Sequence, residues 1–152
     1  MSLLDVRNLR VDLPTAAGWI RPVNDISFEL APAESLGLVG ESGSGKTMLA
    51  LTLMGLLPPG VRVTGTAILE RAGSGESNLA QLNEKAWRAG RGREIAMIFQ
   101  EPMTSLNPVM RIGAQIKESI LAHEANHGGP ETRSRVRKAL EQAAVPEPDV
   151  RA

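Results

Sequence analysis

The chain has 152 residues, with 17 basic side chains, 17 acidic side chains and no cysteine, so its formal net charge is zero. The absence of cysteine excludes a disulfide scaffold, a thiolate zinc site and a cysteine nucleophile. A hydrophobic share of 42% and a charged share of 22% are typical of a globular protein. The sequence contains no run of about 18 apolar residues that could form a membrane-spanning helix.

The first forty residues predict two half-buried strands and then a strand that is buried on both faces. Apolar and polar residues alternate over Leu4–Leu13 and over Ile26–Leu30, which is the pattern of half-buried strands. Residues 15–22 predict a loop, because glycine and proline interrupt the pattern there. Residues 35–39 are nearly all apolar or small, which is typical of a central strand in a parallel sheet.

Helices and short strands are predicted for the rest of the chain. A helix that is apolar on nearly all sides, and therefore buried, is predicted over residues 46–57. Isoleucines spaced four residues apart predict an amphipathic helix over 112–123, and Pro130 begins a last helix that ends near Ala143. The other predicted elements are a strand over 64–70, a loop over 71–77, a helix over 84–89 capped by Asn83, and an apolar strand over 94–99.

Residues 40–47 match the pattern G-x-x-x-x-G-K-[ST] of a phosphate-binding loop. Glycines let successive backbone N–H groups turn inward around phosphate oxygens, and the next helix adds the positive end of its dipole. Lys46 supplies a charge for the β- and γ-phosphates, and the Thr47 hydroxyl is the Mg²⁺ ligand that the motif expects. A chance glycine loop is the weaker interpretation, because a buried-strand pattern precedes the loop and an apolar helix pattern follows it. The predicted nucleotide-binding residues of the loop are Gly40, Glu41, Ser42, Gly43, Ser44, Gly45, Lys46 and Thr47.

A second motif, Ile-Phe-Gln-Glu-Pro-Met-Thr-Ser-Leu-Asn-Pro over residues 98–108, is longer and more specific than the loop. Together with residues 39–47 it resembles the ATP-binding subunits of ABC transporters, and more narrowly the dipeptide/oligopeptide and nickel importer group. The resemblance covers essentially the whole chain. It implies an α/β fold with a P-loop NTPase core of ABC ATPase type, whose mixed sheet has N-terminal antiparallel strands. It divides the chain into an ATP-binding core over 1–100 and a Q-loop with the start of an α-helical subdomain over 101–152.

The resemblance also implies roles for two residues outside the phosphate loop. Gln100 would end a core strand and reach Mg²⁺ and the attacking water, so we expect it to be a catalytic and metal-binding residue alongside Lys46 and Thr47. A neutral amide suits that role, because it can accept from water and donate to phosphate. The family stacks an aromatic residue on the adenine, and Trp19 is the aromatic residue in the right region. A partly exposed tryptophan in a turn is the alternative.

The sequence departs from the family in what it lacks. The family's L-S-G-G-Q signature, its Walker B Asp with the catalytic Glu, and its switch His do not occur in this chain. We therefore expect a piece of a longer protein that is an ATPase as the intact subunit but has little or no turnover as 152 residues. The strand over 36–39 would lack its family neighbour, and the unpaired apolar edge predicts poor solubility or partial order. Ala33 also stands where the family commonly has glycine.

Partners and cofactors follow from the same resemblance. It implies ATP and Mg²⁺, transmembrane permease subunits, a second ATP-binding subunit and, indirectly, an external solute-binding protein. The chain would lie at the cytoplasmic face of the membrane as a peripheral subunit, and the solute, whether dipeptide, oligopeptide or nickel, stays open. The alternatives are a non-catalytic remnant that only binds nucleotide or membrane subunits, and another P-loop enzyme such as a small-molecule kinase.

A cluster of three arginines is interpreted as a solvated loop. No aromatic residues interleave with these arginines and the net charge of the chain is zero, so we expect no nucleic-acid partner. The cluster consists of Arg88, Arg91 and Arg93.

Overall fold

The computed structural model describes residues 2–71, 75–100, 106–123 and 129–151. The chain forms two compact units, Met1–Ala96 and Met97–Ala152. The first unit contains β1 (Leu4–Thr15), β2 (Gly18–Leu30), α1 (Lys46–Leu53), β3 (Arg62–Arg71), β4 (Gly75–Asn78), a 3-10 turn (Leu79–Gln81) and α2 (Glu84–Gly90). The second contains α3 (Ile112–Leu121), α4 (Pro130–Gln142) and α5 (Pro148–Arg151).

The first unit is built on a four-stranded antiparallel sheet in the order β2-β1-β3-β4. Strands β1 and β2 form a long hairpin in which Pro14 lies opposite Trp19. The predicted loop over 15–22 is therefore wrong except at residues 16 and 17. Pairing with β1 continues through this stretch, and Pro22 is tolerated because β2 is an edge strand that needs no further partner on its outer side. The predicted loop over 71–77 is also too long, since β4 begins at Gly75.

Two apolar runs that predict buried strands form none. Residues 35–39 and 96–99 have no regular secondary structure, and Ile95 makes only a single parallel bridge to Arg91. A central strand of a parallel sheet exists only when neighbouring strands satisfy its backbone groups on both sides. Among the described residues no strand pairs with either run, so the apolar composition alone does not produce a strand.

Helix α1 is shorter than the sequence pattern predicts, ending at Leu53 instead of Leu57. Gly55 has a φ of 60°, the left-handed conformation that ends many helices. Its N–H donates to the Thr52 carbonyl at 3.1 Å, and the Leu56 N–H donates to the Leu51 carbonyl at 2.9 Å. These paired bonds form a Schellman motif, and the glycine at position 55 was the signal for it in the sequence.

The core of the first unit lies between one face of the sheet and helices α1 and α2. Val6, Leu9 and Val11 of β1 are fully buried there. At α2 the predicted cap is confirmed, because the Asn83 side chain accepts a hydrogen bond from the Ala86 N–H at 2.9 Å. The buried apolar residues of this core are Leu4, Val6, Leu9, Val11, Val23, Leu49, Ala67, Leu69, Leu79 and Trp87.

The second unit contains the two longer predicted helices. Val136 and Leu140 of α4 are its buried apolar side chains among the residues that the structure describes. The Gln115 side chain of α3 holds the preceding segment, accepting from the Asn107 N–H at 2.8 Å and donating to the Asn107 and Met110 carbonyls at 3.0 and 3.1 Å. Within the described ranges, no helix is both long and apolar enough to cross a bilayer.

Candidate nucleotide-binding site

The predicted phosphate loop is an irregular turn that leads directly into helix α1. Gly43 and Gly45 have φ values of 82° and 92°, which favour glycine. Gly45 is the N-cap of α1, and its carbonyl accepts the first helical bond from the Leu49 N–H at 2.8 Å. A Cβ at Gly45 would lie 2.0 Å from the Pro22 carbonyl oxygen. The loop therefore packs against strand β2 at a point where only glycine fits.

Lys46 reaches back over the loop. Its ammonium group donates to the carbonyl oxygens of Gly40 and Glu41, both at 2.7 Å, and to the Ser44 hydroxyl at 3.2 Å. These bonds place the positive charge of the side chain inside the turn formed by the loop. A charge held there can meet an anion that the loop amides surround.

The beginning of α1 has no competing negative group. No side chain caps the helix, and no acidic residue lies in its first turn. The first N–H groups of a helix have no intrahelical partner and lie at the positive end of the helix dipole. Thr47, in that first turn, is exposed. The loop and the helix together thus offer backbone donors, a cation and a free hydroxyl at one place.

Trp19 lies on the edge strand that packs against the loop. Its side chain is half exposed, and the Arg62 guanidinium lies 4.2 Å from the ring centroid. One face of the ring is therefore covered by a cation. Nearby, Arg21 donates to both oxygens of Asp12, at 2.7 and 3.1 Å, and this hydrogen bonding lowers the pKa of Asp12.

The far end of α1 is held by a residue whose role was missed in the sequence. Arg91 donates to the carbonyls of Met54 at 2.9 Å and Gly55 at 2.6 Å, and pairs with Glu84 at 3.2 Å. The solvated-loop interpretation is therefore wrong for Arg91, because these carbonyls at the helix end need donors that a charged side chain can supply. Arg88 and Arg93 are exposed, as that interpretation predicts, although Arg88 lies in helix α2 and not in a loop.

Gln100 belongs to the second unit and is exposed. Glu101 to Ser105 of the second motif lie outside the described residues. The structure thus brings together the predicted residues 40–47 and sets them against β2, which also carries Trp19. Gln100 stays a prediction made from the sequence.

Comparison with known proteins decides the family. The family described as "ABC transporter" matches residues 23–152. The chain belongs to the ABC transporter family. Its similar ABC relatives include the dipeptide transport ATP-binding protein DppD of Lactococcus lactis subsp. cremoris, 39% identical over 97% of this chain, and the oligopeptide transport ATP-binding protein OppD of Salmonella typhimurium, 44% identical over 80% of it. The chain spans 41% and 35% of the lengths of these two relatives.

A solved structure shows the fold of the same family. The ATP-binding cassette MJ0796, in a dimeric post-hydrolysis state bound to ADP and Pi, superposes with a TM-score of 0.71 at 18% sequence identity. The match covers 95% of this chain and 58% of that one. The predicted α/β fold of ABC ATPase type is confirmed, although the parallel strands expected within it do not form.

Proposed function

We propose that this chain is the nucleotide-binding part of a subunit that uses ATP to import peptides through an ABC transporter. The observation that carries the proposal is the loop over 40–47, with Lys46 folded over it at the start of an uncapped helix. Two relatives named as dipeptide and oligopeptide transport ATP-binding proteins support the peptide class of solute.

The residues of the loop suit a nucleoside triphosphate. Amides of Gly40, Glu41, Ser42, Gly43, Ser44 and Gly45 would surround the phosphates, and Lys46 would supply the charge. The Thr47 hydroxyl and the Gln100 amide oxygen are neutral oxygen ligands of the kind that Mg²⁺ accepts beside phosphate oxygens. When bound, the ion neutralises charge on the β- and γ-phosphates. The face of Trp19 that Arg62 does not cover would stack on the adenine.

The organisation of the larger protein is part of the proposal. Residues 1–100 would belong to the ATP-binding core and residues 101–152 to the Q-loop and the α-helical subdomain. A second ATP-binding subunit and transmembrane permease subunits would be its partners, with an external solute-binding protein acting through the permease. The subunit would lie at the cytoplasmic face of the membrane. Because the chain spans only 41% of its DppD relative, we assign ATP hydrolysis to the whole subunit and expect 152 residues to bind without turnover.

Calorimetric titration with ATP and Mg²⁺ tests the site. We expect Lys46→Ala to weaken binding at least about tenfold, since it removes a charge-assisted contact to phosphate. Lys85→Ala, which changes an exposed lysine of α2, is the matched control and should bind as the unmodified chain does. Equal affinity of Lys46→Ala and the unmodified chain would exclude the loop as the ATP site. Phosphate transfer to a small acceptor would favour a kinase, and ATP turnover by the 152 residues would contradict the assignment of hydrolysis to the whole subunit.

A further inference from the structure

We propose that the cavity between helices α3 and α4 binds the phosphate group of a soluble organic phosphate. The cavity has a volume of about 600 Å³, within the range of about 300 to 1,000 Å³ that is usual for small-molecule sites. Three cations line it: Arg111 at the N-cap of α3, Lys117 in the middle of α3, and Arg133 from α4. All of its lining residues belong to the second unit, so the inference does not depend on the phosphate loop.

Within the described part of the second unit, the three cations have no acidic partner. Within the ranges that the structure describes, the side chains of Arg111, Lys117 and Arg133 form no ion pair or hydrogen bond, and no acidic residue is among the described lining. Arg137 of α4 behaves differently, since it pairs with Glu141 at 2.8 Å and with Asp149 at 3.3 Å. Acidic side chains thus neutralise Arg137, whereas the described lining of the cavity supplies none to its three cations, which favours an anionic ligand.

Backbone and apolar groups add to the selectivity of the cavity. Helix α3 has no side-chain cap, and Gly113 of its first turn, although buried, lines the cavity. The Ala114 N–H already donates to the Arg111 carbonyl at 3.1 Å, so the Gly113 N–H is the first-turn amide of the lining that can donate to a phosphate oxygen. Ala114 and Val136 line the same space, and Val136 is only 3% exposed. A phosphate that carries a compact apolar group therefore fits better than inorganic phosphate alone.

A free molecule fits the cavity better than a lipid headgroup. The three cations are exposed, whereas Gly113, Thr132 and Val136 line the same cavity from buried positions. A small molecule can therefore reach groups that a flat bilayer surface cannot. Phosphate in both sources has the same chemistry, so the experiment must separate the two.

Amide shifts of the ¹⁵N-labelled chain, followed at constant ionic strength with phenyl phosphate and inorganic phosphate as probes, test the site. We expect shifts at Gly113, Ala114 and Thr132, with phenyl phosphate binding several-fold more tightly than phosphate. The double substitution Lys117→Ala and Arg133→Ala should raise the Kd at least about tenfold, because two charge-assisted contacts are lost. Lys138→Ala, an exposed lysine of α4 outside the lining, should leave the Kd unchanged.

Three results would overturn the proposal. One is equal affinity of the double variant and the unmodified chain. The second is a set of shifts confined to residues 40–47. The third is binding to phosphatidylglycerol vesicles that depends on the two cations, without any binding of the soluble probes. Lys117→Arg is the control for misfolding of the double variant. It changes the same position but keeps the charge, so it should keep the binding.

Discussion

The Arg91 guanidinium donates a hydrogen bond to the carbonyl oxygen of Met54 at 2.9 Å and so closes the end of helix α1. A second bond goes to the Gly55 carbonyl, and the same side chain lies over the Trp87 ring at 5.2 Å from its centroid. Helix α1 thus begins at the phosphate loop, and the carbonyls at its other end are capped by Arg91, the residue that follows α2. The position of the loop depends on contacts at both ends of this short helix.

Replacing Arg91 tests that dependence. Hydrogen bonds to a charged group contribute about 1.5–3 kcal/mol each, so we expect Arg91→Ala to lower the free energy of unfolding by about 2 kcal/mol or more. Urea unfolding followed by circular dichroism measures the change. Arg88→Ala is the control, because Arg88 is exposed and forms only an i,i+4 pair, which predicts a change within about 0.5 kcal/mol. Equal effects of the two substitutions would contradict the role of Arg91.

Gly45 and Gly43 provide a matched comparison in the loop. Both have left-handed φ values, but a Cβ at Gly43 would meet nothing within 4 Å, whereas one at Gly45 would collide with the Pro22 carbonyl. We expect Gly43→Ala to cost about 1 kcal/mol from its backbone conformation alone and Gly45→Ala to cost about 3 kcal/mol. Thermal unfolding of both variants measures the difference. A Gly45→Ala chain as stable as Gly43→Ala would show that β2 does not pack against the loop.

Ala33 occupies a left-handed conformation, with a φ of 61°, in the tight turn where Glu34 donates back to the Ala31 carbonyl at 3.2 Å. A left-handed alanine costs about 1–2 kcal/mol of stability. A glycine at the same position costs about 0.4–1 kcal/mol, because it gives the unfolded chain more conformational freedom to lose on folding. We expect Ala33→Gly to stabilise the chain by about 0.5 kcal/mol, measured by chemical unfolding. Ala31→Gly is the control: it relieves no left-handed strain and should lower the stability. A lower stability of Ala33→Gly would contradict the left-handed conformation at this turn.

The pair of Arg21 and Asp12 predicts a dependence on pH. Hydrogen bonding from Arg21 lowers the pKa of Asp12 below its value in the unfolded chain. The stabilisation is therefore present above the ordinary Asp pKa of about 4 and is lost as the pH falls through the lowered value. We expect the free energy of unfolding of Asp12→Asn to fall less steeply than that of the unmodified chain as the pH drops below about 4. Carbon-detected NMR titration should show the Asp12 pKa rising in Arg21→Gln, and an unchanged pKa there would disprove the cause.

The exposed apolar run before the phosphate loop predicts self-association. Leu36, Leu38 and Val39 are 52%, 50% and 92% exposed, and apolar runs of this kind pair with other chains. We expect the chain to sediment partly as oligomers, and Val39→Ser to raise its soluble concentration several-fold. Val150→Ser changes a valine that is 80% exposed but lies beside charged residues, so it should have little effect. A monomer with a sharp thermal transition would count against this prediction.

Local signals predicted most of the elements that form. The alternation in β1 and β2, the Asn83 cap and the helices beginning near Ile112 and Pro130 all depend on neighbours in sequence, and all occur. Residues 35–39 depend instead on pairing with strands that are distant in sequence, and their apolar composition does not show whether such pairing occurs. The Arg91 bonds were missed for a similar reason, since their acceptors lie 36 and 37 residues away along the chain.

The ammonium group of Lys46 already forms hydrogen bonds within the phosphate loop. An ammonium group has three hydrogens, and the three bonds of Lys46 to Gly40, Glu41 and Ser44 match that number. An arriving phosphate therefore competes with contacts that already exist, and only the difference between the two sets contributes to affinity. Nucleotide binding at this loop is in that sense an exchange of hydrogen-bond partners.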